Sequence, residues 1–371
     1  PAAPVATVPS STTARPNIVF VLTDDLSMNL IRYMPHVQAL QQTGTTFSNY
    51  TVTDSLCCPS RSSILTGKFP HNTGVFTNGG SDGGFGVFHA RRNEQSTFAT
   101  SLQQAGYRTA MMGKYLNGYL PGASVDGSTN YVPPGWDEWA VAGNAYGEYN
   151  YVLNQSGTQK RYGHAPKDYL TTVLTGLGTS FVQRSATAKT PFLLEIATFT
   201  PHGPFTPAPQ DKKAFPGLTA PRTAAFDTLP SDPPSWLAGR EPLTAAEKQQ
   251  IDVNFRKRVQ DVQSIDRMIG ALQSSLVTAG VADNTEIVFS SDNGFHMGEY
   301  RLNAGKMTAF DTDIQVPLIV SGPGVRRDHV AEEVAMNVDL APTFESWGGL
   351  TPSPDVDGRS LVPLLRGTDV S

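Results

Sequence analysis

Both cysteines of this 371-residue chain, Cys57 and Cys58, stand side by side directly ahead of Pro59, Ser60 and Arg61. Adjacent cysteines cannot close a useful loop, and with no third cysteine a disulfide framework is excluded. A zinc or redox site would need a Cys-x-x-Cys pair or a second ligand cluster, and the sequence has neither. A thiol phosphatase loop would place an arginine six residues after its cysteine, where this chain has Ser63 and Ile64. What remains is a cysteine at the start of a short helix. Pro59 suits the first helical position, Ser60 to Leu65 the turns and Gly67 the stop. The free backbone N–H groups of such a start favour an anionic reacting centre. A buried cysteine pair ahead of an ordinary helix cap is the competing reading.

A second set of residues offers only oxygen. Asp24 and Asp25 form one pair, and Asp292 and Asn293 a second one far along the chain. Such donors suit a hard divalent cation, Ca²⁺ or Mg²⁺, better than zinc. One aspartate after a strand reads as a helix cap, but two pairs at strand ends read as a site. Lys114 follows Gly113, His202 sits in Pro201-His202-Gly203-Pro204, and Lys306 precedes Phe310 and Asp311. Taken singly, each of these is an ordinary solvated lysine or structural histidine. His71 and His296, near the key motifs, read as residues that support the site residues from behind or pack.

Along the chain, the segments that would position these groups alternate. Asn17 to Thr23 is an apolar, β-branched run expected to be a buried parallel strand, and it ends in Asp24-Asp25. Further strands are expected over Arg108 to Met112, Pro191 to Thr198, Glu286 to Ser290 and Val316 to Val320. Helices are expected over Pro35 to Gln42, Thr97 to Gln104, Asp168 to Val182, Thr244 to Leu276 and Asn337 to Trp347. Residues 115–163 have little periodicity and read as long loops and short strands walling a pocket, and 205–240 as a Pro-rich lid or surface loop. The alternation predicts a doubly wound α/β fold, with a mostly parallel central sheet flanked by helices. Asp24-Asp25, Lys114, His202 and Asp292-Asn293 all follow strands, and in open α/β sheets ligands bind beyond the carboxyl ends of strands.

The run Cys57 to Gly67 fits a longer pattern: Cys-x-Pro-Ser-Arg, two variable residues, two apolar ones, Thr and Gly. That pattern resembles the signature of the sulfatase family. The resemblance implies an alkaline-phosphatase-like fold and hydrolysis of a sulfate ester. It implies that a maturation enzyme oxidises Cys57 to Cα-formylglycine, and that Cys58 is a bystander packed inward. Thr23-Asp24-Asp25 and Ser291-Asp292-Asn293-Gly294 match the family's metal positions, with the oxygen of the modified residue completing the shell. Lys114 and Lys306 match its substrate lysines, and His202 the histidine at the leaving-group oxygen. One hydroxyl of the hydrated aldehyde would attack sulfur to give a covalent sulfated enzyme, and the other would then expel sulfate. Arg61, one turn past Cys57, would hold the diol oxygen. Many sulfatases carry a histidine two positions after the first lysine. This chain has Leu116 there, followed by Asn117, which could hydrogen-bond the sulfate but could not accept a proton.

The resemblance runs from about Pro16 to Pro323, with more distant agreement over 337–343 and 357–361. Within the family it is closest to the N-acetylglucosamine-6-sulfatase and heparan endosulfatase branch, which shares the leucine. Lys68-Phe69-Pro70-His71-Asn72, Gly113 to Asn117, Tyr149-Asn150-Tyr151, Asp168 to Thr171 and Asn254 to Arg258 support this. A sulfated sugar, first of all 6-O-sulfated glucosamine, is therefore the expected substrate. A broad arylsulfatase, a phosphonate or phosphate ester hydrolase on the same scaffold, and an unmatured carbohydrate-binding relic are the alternatives. The expected organisation is a leader over 1–15, a catalytic domain over 16–350 and the start of a C-terminal segment over 351–371, with the family's small C-terminal subdomain largely missing.

Composition sets outer limits. A net charge of −5 argues against a general nucleic-acid or membrane-surface binder. No apolar run approaches the length of a membrane span. The 34 glycines and 28 prolines favour ordered loops over a helical bundle. The Ala/Pro/Ser/Thr-rich start reads as the remnant of an export signal, and the scarcity of cysteine fits a bacterial secreted or periplasmic enzyme.

Overall fold

The structure is a computed structural model that describes residues 15–368; the expected leader lies almost wholly outside the described residues. Ten strands form one sheet. In chain order they are β1 (Asn17–Thr23), β2 (Thr45–Phe47), β3 (Arg108–Lys114), β4 (Glu138–Ala142), β5 (Val152–Gln155), β6 (Thr158–Arg161), β7 (Phe192–Ala197), β8 (Thr285–Ser291), β9 (Leu318–Ser321) and β10 (His329–Ala331). Across the sheet the order is β10-β2-β9-β8-β1-β7-β3-β4-β5-β6. The five central strands, β8-β1-β7-β3-β4, are all parallel. Four of them, β8, β1, β7 and β3, are the apolar runs expected from sequence, and burial on both faces explains why they lack alternation.

The helices cover both faces. Successive side chains of β1 go to opposite sides: Ile18, Phe20 and Leu22 join one core, Val19 and Val21 the other. On the first face lie α2 (Cys57–Thr66), α3 (Phe98–Gln104) and α6 (Leu340–Trp347); on the second lie α1 (Pro35–Thr43), α4 (Leu170–Ala188) and α5 (Ala245–Thr278). Helix α5 starts at a capping box in which Thr244 and Glu247 satisfy each other's backbone N–H. Its buried stripe begins at Ile251 and Phe255 and runs on through Val259, Val262, Ile265, Ile269 and Leu272.

Outside the central strands the sheet turns mixed. Strand β9, expected near Val316 to Val320, is antiparallel to β8, and the region read as long loops and short strands supplies parallel β4 plus the antiparallel pair β5 and β6. The pair β5 and β6 is four residues each, and β6 is polar and exposed throughout, so periodicity alone does not mark it. Residues 205–240 are irregular, as expected, apart from the single turn Ser235–Ala238.

Register places the functional ends. Thr23 pairs with Ser291, Leu22 with Ala197, and Ala197 with Gly113. Neighbouring strands lie ~4.8 Å apart, so the residues beyond these rungs emerge side by side. Gly113 is required there: its φ is +102°, and a Cβ would lie 1.9 Å from the Ala197 carbonyl oxygen.

Candidate active site

Helix α2 begins earlier than its sequence suggests. Leu56 is the extended residue before it and Cys57 is its first residue, which makes Pro59 the third position rather than the first. The shift costs nothing, because the first helical N–H groups have no partner within the helix and proline lacks only such a group. The Ser60 N–H makes the first helical bond, 3.1 Å to the Leu56 carbonyl, and the Cys58 N–H donates to Asn78 Oδ1 at 2.8 Å. At the far end Gly67 takes the left-handed conformation, φ +70°. Every residue of α2 is buried, and Cys58 lies in the core of the first face.

Cys57 faces the carboxyl ends of the central strands. Its Sγ donates to Asp24 Oδ1 at 3.5 Å and receives Lys306 Nζ at 2.8 Å. Lys114 Nζ binds Asp24 Oδ2 at 2.5 Å, and Lys306 Nζ also binds Asp25 Oδ1. Arg61 donates from Nε to Asp292 Oδ2 at 2.8 Å and from Nη1 to the Lys114 carbonyl at 2.9 Å. Its Nη2 has no hydrogen-bond partner among the described residues. Asp292 Oδ1 accepts the Asp25 N–H at 3.1 Å, and Asn293 Nδ2 donates to Asp25 Oδ1 at 2.7 Å. Asn293 Oδ1 lies 3.4 Å from the Lys306 ammonium.

His202 Nε2 is 3.6 Å from Asp25 Oδ2, while Nδ1 is 2.7 Å from the Gly203 carbonyl. A carbonyl only accepts, so Nδ1 carries a proton and Nε2 is the nitrogen turned to the site. One donor atom from each of Asp24, Asp25, Cys57 and His202 falls within 4.8 Å of the others. The structure thus brings together Asp24, Asp25, Cys57, Arg61, Lys114, His202, Asp292, Asn293 and Lys306. Asn117 is at one remove: its Nδ2 donates to Tyr146 Oη at 3.3 Å. Leu116 is buried in the apolar core and His296 is paired with Asp313 Oδ1 at 2.9 Å, so neither reaches the site.

Electrostatics give the cluster its character. Asp24, Asp25 and Asp292 are at most 1% exposed, and Arg61, Lys114 and Lys306 balance their three charges. Burial opposes ionisation of Asp24, but Lys114, His202 and Arg61 outweigh it and hold the carboxyl below its usual range. Burial would likewise depress Lys114 and Lys306, yet Asp24 and Asp25 respectively raise them. Cys57 goes the other way: burial, then Asp24 and Asp292, push its thiol up to about 12 despite the two lysines. A thiol held there is no nucleophile at neutral pH. Three buried carboxylates and an amide oxygen, with the Lys306 ammonium already on Asp25 and near Asn293 Oδ1, fit a hard divalent cation.

Sequence reasoning missed Tyr146. Its ring centroid lies 4.5 Å from that of His202, and Lys114 Nζ sits 5.1 Å above its face. It also missed Glu148, a buried carboxylate that accepts from Thr171 Oγ1 at 2.8 Å and from Thr200 Oγ1 at 2.9 Å, two residues before His202. Both lie in the aperiodic region, where no spacing marks them.

Against known proteins, residues 16–350 match the family model described as Sulfatase. The human N-acetylglucosamine-6-sulfatase is 38% identical over 363 residues, covering 96% of this chain and 65% of that protein. The extracellular sulfatase SULF-1 homolog of Drosophila melanogaster is 37% identical over 95% of this chain but only 31% of its own length. The chain therefore spans from 31% to 65% of the length of these relatives. A solved structure described as being in complex with its substrate, D-glucosamine-2-N,6-O-disulfate, superposes with a TM-score of 0.79 and 25% identity, over 96% of this chain and 82% of that one.

Proposed function

The chain belongs to the sulfatase family, and from that premise we propose that it hydrolyses sulfate esters of carbohydrates, with 6-O-sulfated glucosamine as the preferred unit. The observation that carries this reading is the convergence of Cys57, three cations and His202 on one buried carboxylate cluster. The human relative, named as an N-acetylglucosamine-6-sulfatase, and the structure holding a sulfated glucosamine support the choice of sugar. The extracellular relative supports export from the cell.

Asp24, Asp25, Asp292 and Asn293 would hold Ca²⁺, with Mg²⁺ the alternative, and such an ion supplies positive charge at the sulfate oxygens. The thiol of Cys57 cannot serve as it stands. Conversion to formylglycine by a maturation enzyme would supply a hydroxyl nucleophile at the same place. The roles of the other residues come from their contacts. Arg61 is fixed by Asp292 and the Lys114 carbonyl, so its free Nη2 can meet an anionic oxygen without reorganising. Lys114 and Lys306 carry charge that offsets what builds on the sulfate group. His202 turns Nε2 toward the place where the departing sugar oxygen would take up a proton, steadied by its Nδ1 contact and by Tyr146. Asn117, tethered to Tyr146, adds a neutral hydrogen bond.

The test is sulfate release from a 6-O-sulfated glucosamine substrate by the matured protein and by Cys57→Ala. The wild type is expected to turn over and the variant to lose at least ~10³-fold in kcat. Unchanged activity in Cys57→Ala would end the reading. Parallel rates on aryl sulfate and aryl phosphonate esters separate a sulfatase from a phosphonate hydrolase, since the cations alone do not discriminate the two anions. Intact mass reports maturation: the aldehyde lowers the mass by about 18 Da relative to cysteine and its hydrate restores it.

A further inference from the structure

Arg258 lies outside the constellation above, on the inner face of α5. It follows Phe255 by three residues and precedes Val262 by four, so it occupies a place in the apolar stripe and is 0% exposed. A guanidinium in such a place is costly unless its donors are met; both terminal nitrogens are, while Nε has no hydrogen-bond partner among the described residues. Its partners are not carboxylates. Nη2 donates to the Asp25 backbone carbonyl at 2.5 Å and to Ser27 Oγ at 2.9 Å, and Nη1 donates to the Pro201 carbonyl at 3.3 Å. The group lies 4.4 Å from the ring centroid of Phe295 and 5.6 Å from that of Phe205. Burial lowers its pKa to about 10, which leaves it charged at neutral pH.

The two carbonyls matter because each belongs to backbone that aims a group of the site. Asp25 is a non-glycine residue at φ +65°, a conformation that costs ~1–3 kcal/mol and persists only where its surroundings impose it. Asp292 holds the amide of that residue and Arg258 its carbonyl. Pro201 immediately precedes His202. An apolar side chain could fill the slot between the two rings but could hold neither carbonyl, and a lysine would lack the fork that reaches both.

We propose that Arg258 is a positioning residue that ties the Asp25 backbone and the His202 segment into one rigid unit, so that the carboxylate cluster's grip on a divalent cation and the aim of His202 are set together. This rests on the sulfatase reading above. It is tested with the full-length matured protein, Arg258→Met and Arg258→Lys. Two quantities are measured: the Ca²⁺ concentration giving half of the maximal thermal stabilisation, and kcat and KM on a sugar sulfate and on 4-nitrophenyl sulfate. The nitrophenolate leaves without a proton, so it bypasses His202. In Arg258→Met the calcium midpoint is expected to rise about tenfold or more. Its kcat on the sugar sulfate is expected to fall by a larger factor than its kcat on the aryl ester, with KM little changed. Arg258→Lys, which keeps the charge and one reach, recovers part of both. A folded Arg258→Met whose calcium midpoint and leaving-group ratio both match wild type overturns the proposal. A wild type that releases no sulfate counts against the sulfatase reading instead, and the calcium arm then decides Arg258 alone. A wild type indifferent to calcium leaves the leaving-group ratio to decide it.

Discussion

At the scale of single residues, burial decides which groups can react and which only hold. Cys57 combines 1% exposure with two carboxylate neighbours, and its thiol is too weak an acid to be the working group in the unmodified chain. The same physics acts on Glu195, in the middle of β7 and 2% exposed. Its Oε2 has no hydrogen-bond partner among the described residues. Burial raises its pKa from 4.5 to about 8, with only Arg61 pulling the other way. The fold thus prefers the protonated carboxyl. That preference contributes fully below the unfolded pKa of 4.5 and is lost as pH rises through about 8. Glu195→Gln keeps the site neutral at every pH. Its stability is expected to match wild type near pH 4 and to exceed it by roughly a few kcal/mol at pH 8.5. Denaturant midpoints at the two pH values check this, and parallel pH profiles for the two proteins would show that Glu195 is not held neutral.

At the scale of elements, the site is a consequence of register. The rungs Leu22–Ala197, Ala197–Gly113 and Thr23–Ser291 bring four strand ends level, and the chemistry sits one step beyond them. Gly113→Ala attacks that arrangement directly. The new Cβ would lie 1.9 Å from one backbone oxygen and 3.1 Å from Leu174 Cδ1, at a φ that side chains avoid. The strand must part from β7 and carry Lys114 with it. A loss of about 3 kcal/mol or more is expected, a fall in Tm of several degrees, with activity lost in the surviving folded protein. An unchanged Tm would mean that β3 and β7 do not approach as described. The same elements explain what the sequence disclosed. Apolar runs ending in Asp24-Asp25, Gly113-Lys114 and Ser291-Asp292-Asn293 are legible because a strand buried on both faces is apolar throughout and its first polar residues mark its exit. Tyr146 and Glu148 were hidden because positions in an aperiodic connection carry no register. Arg258 stood in plain view at stripe spacing, but a lone charge in a stripe does not say which carbonyls it will meet. The start of α2 was misplaced by two residues because proline is tolerated throughout the first turn, not only at its first position.

At the scale of the whole molecule, the charge of the site is balanced within the site. The chain carries −5 overall, while three buried carboxylates meet three cations in one cluster. Lys114 and Lys306 are pinned on Asp24 and Asp25 in this balance, so neither is free to face a substrate. A divalent cation among the same oxygens would offset the carboxylates and reduce the lysines' hold on them. The cluster joins α2, β1, β8 and the segment carrying Lys306, so a gain in its stability is a gain for the whole fold. Binding of an ion stabilises by about 2.7 kcal/mol when free ion is a hundredfold above Kd. Chelation followed by dialysis is therefore expected to lower Tm by several degrees and abolish sulfate release, with calcium restoring both. Asp292→Asn removes one of the three carboxylates and leaves Arg61 with a neutral partner. The calcium-dependent rise in Tm should shrink in that variant and move to higher calcium. If chelation changes neither Tm nor activity of the wild type, the four oxygens serve the lysines and Arg61 alone and hold no ion.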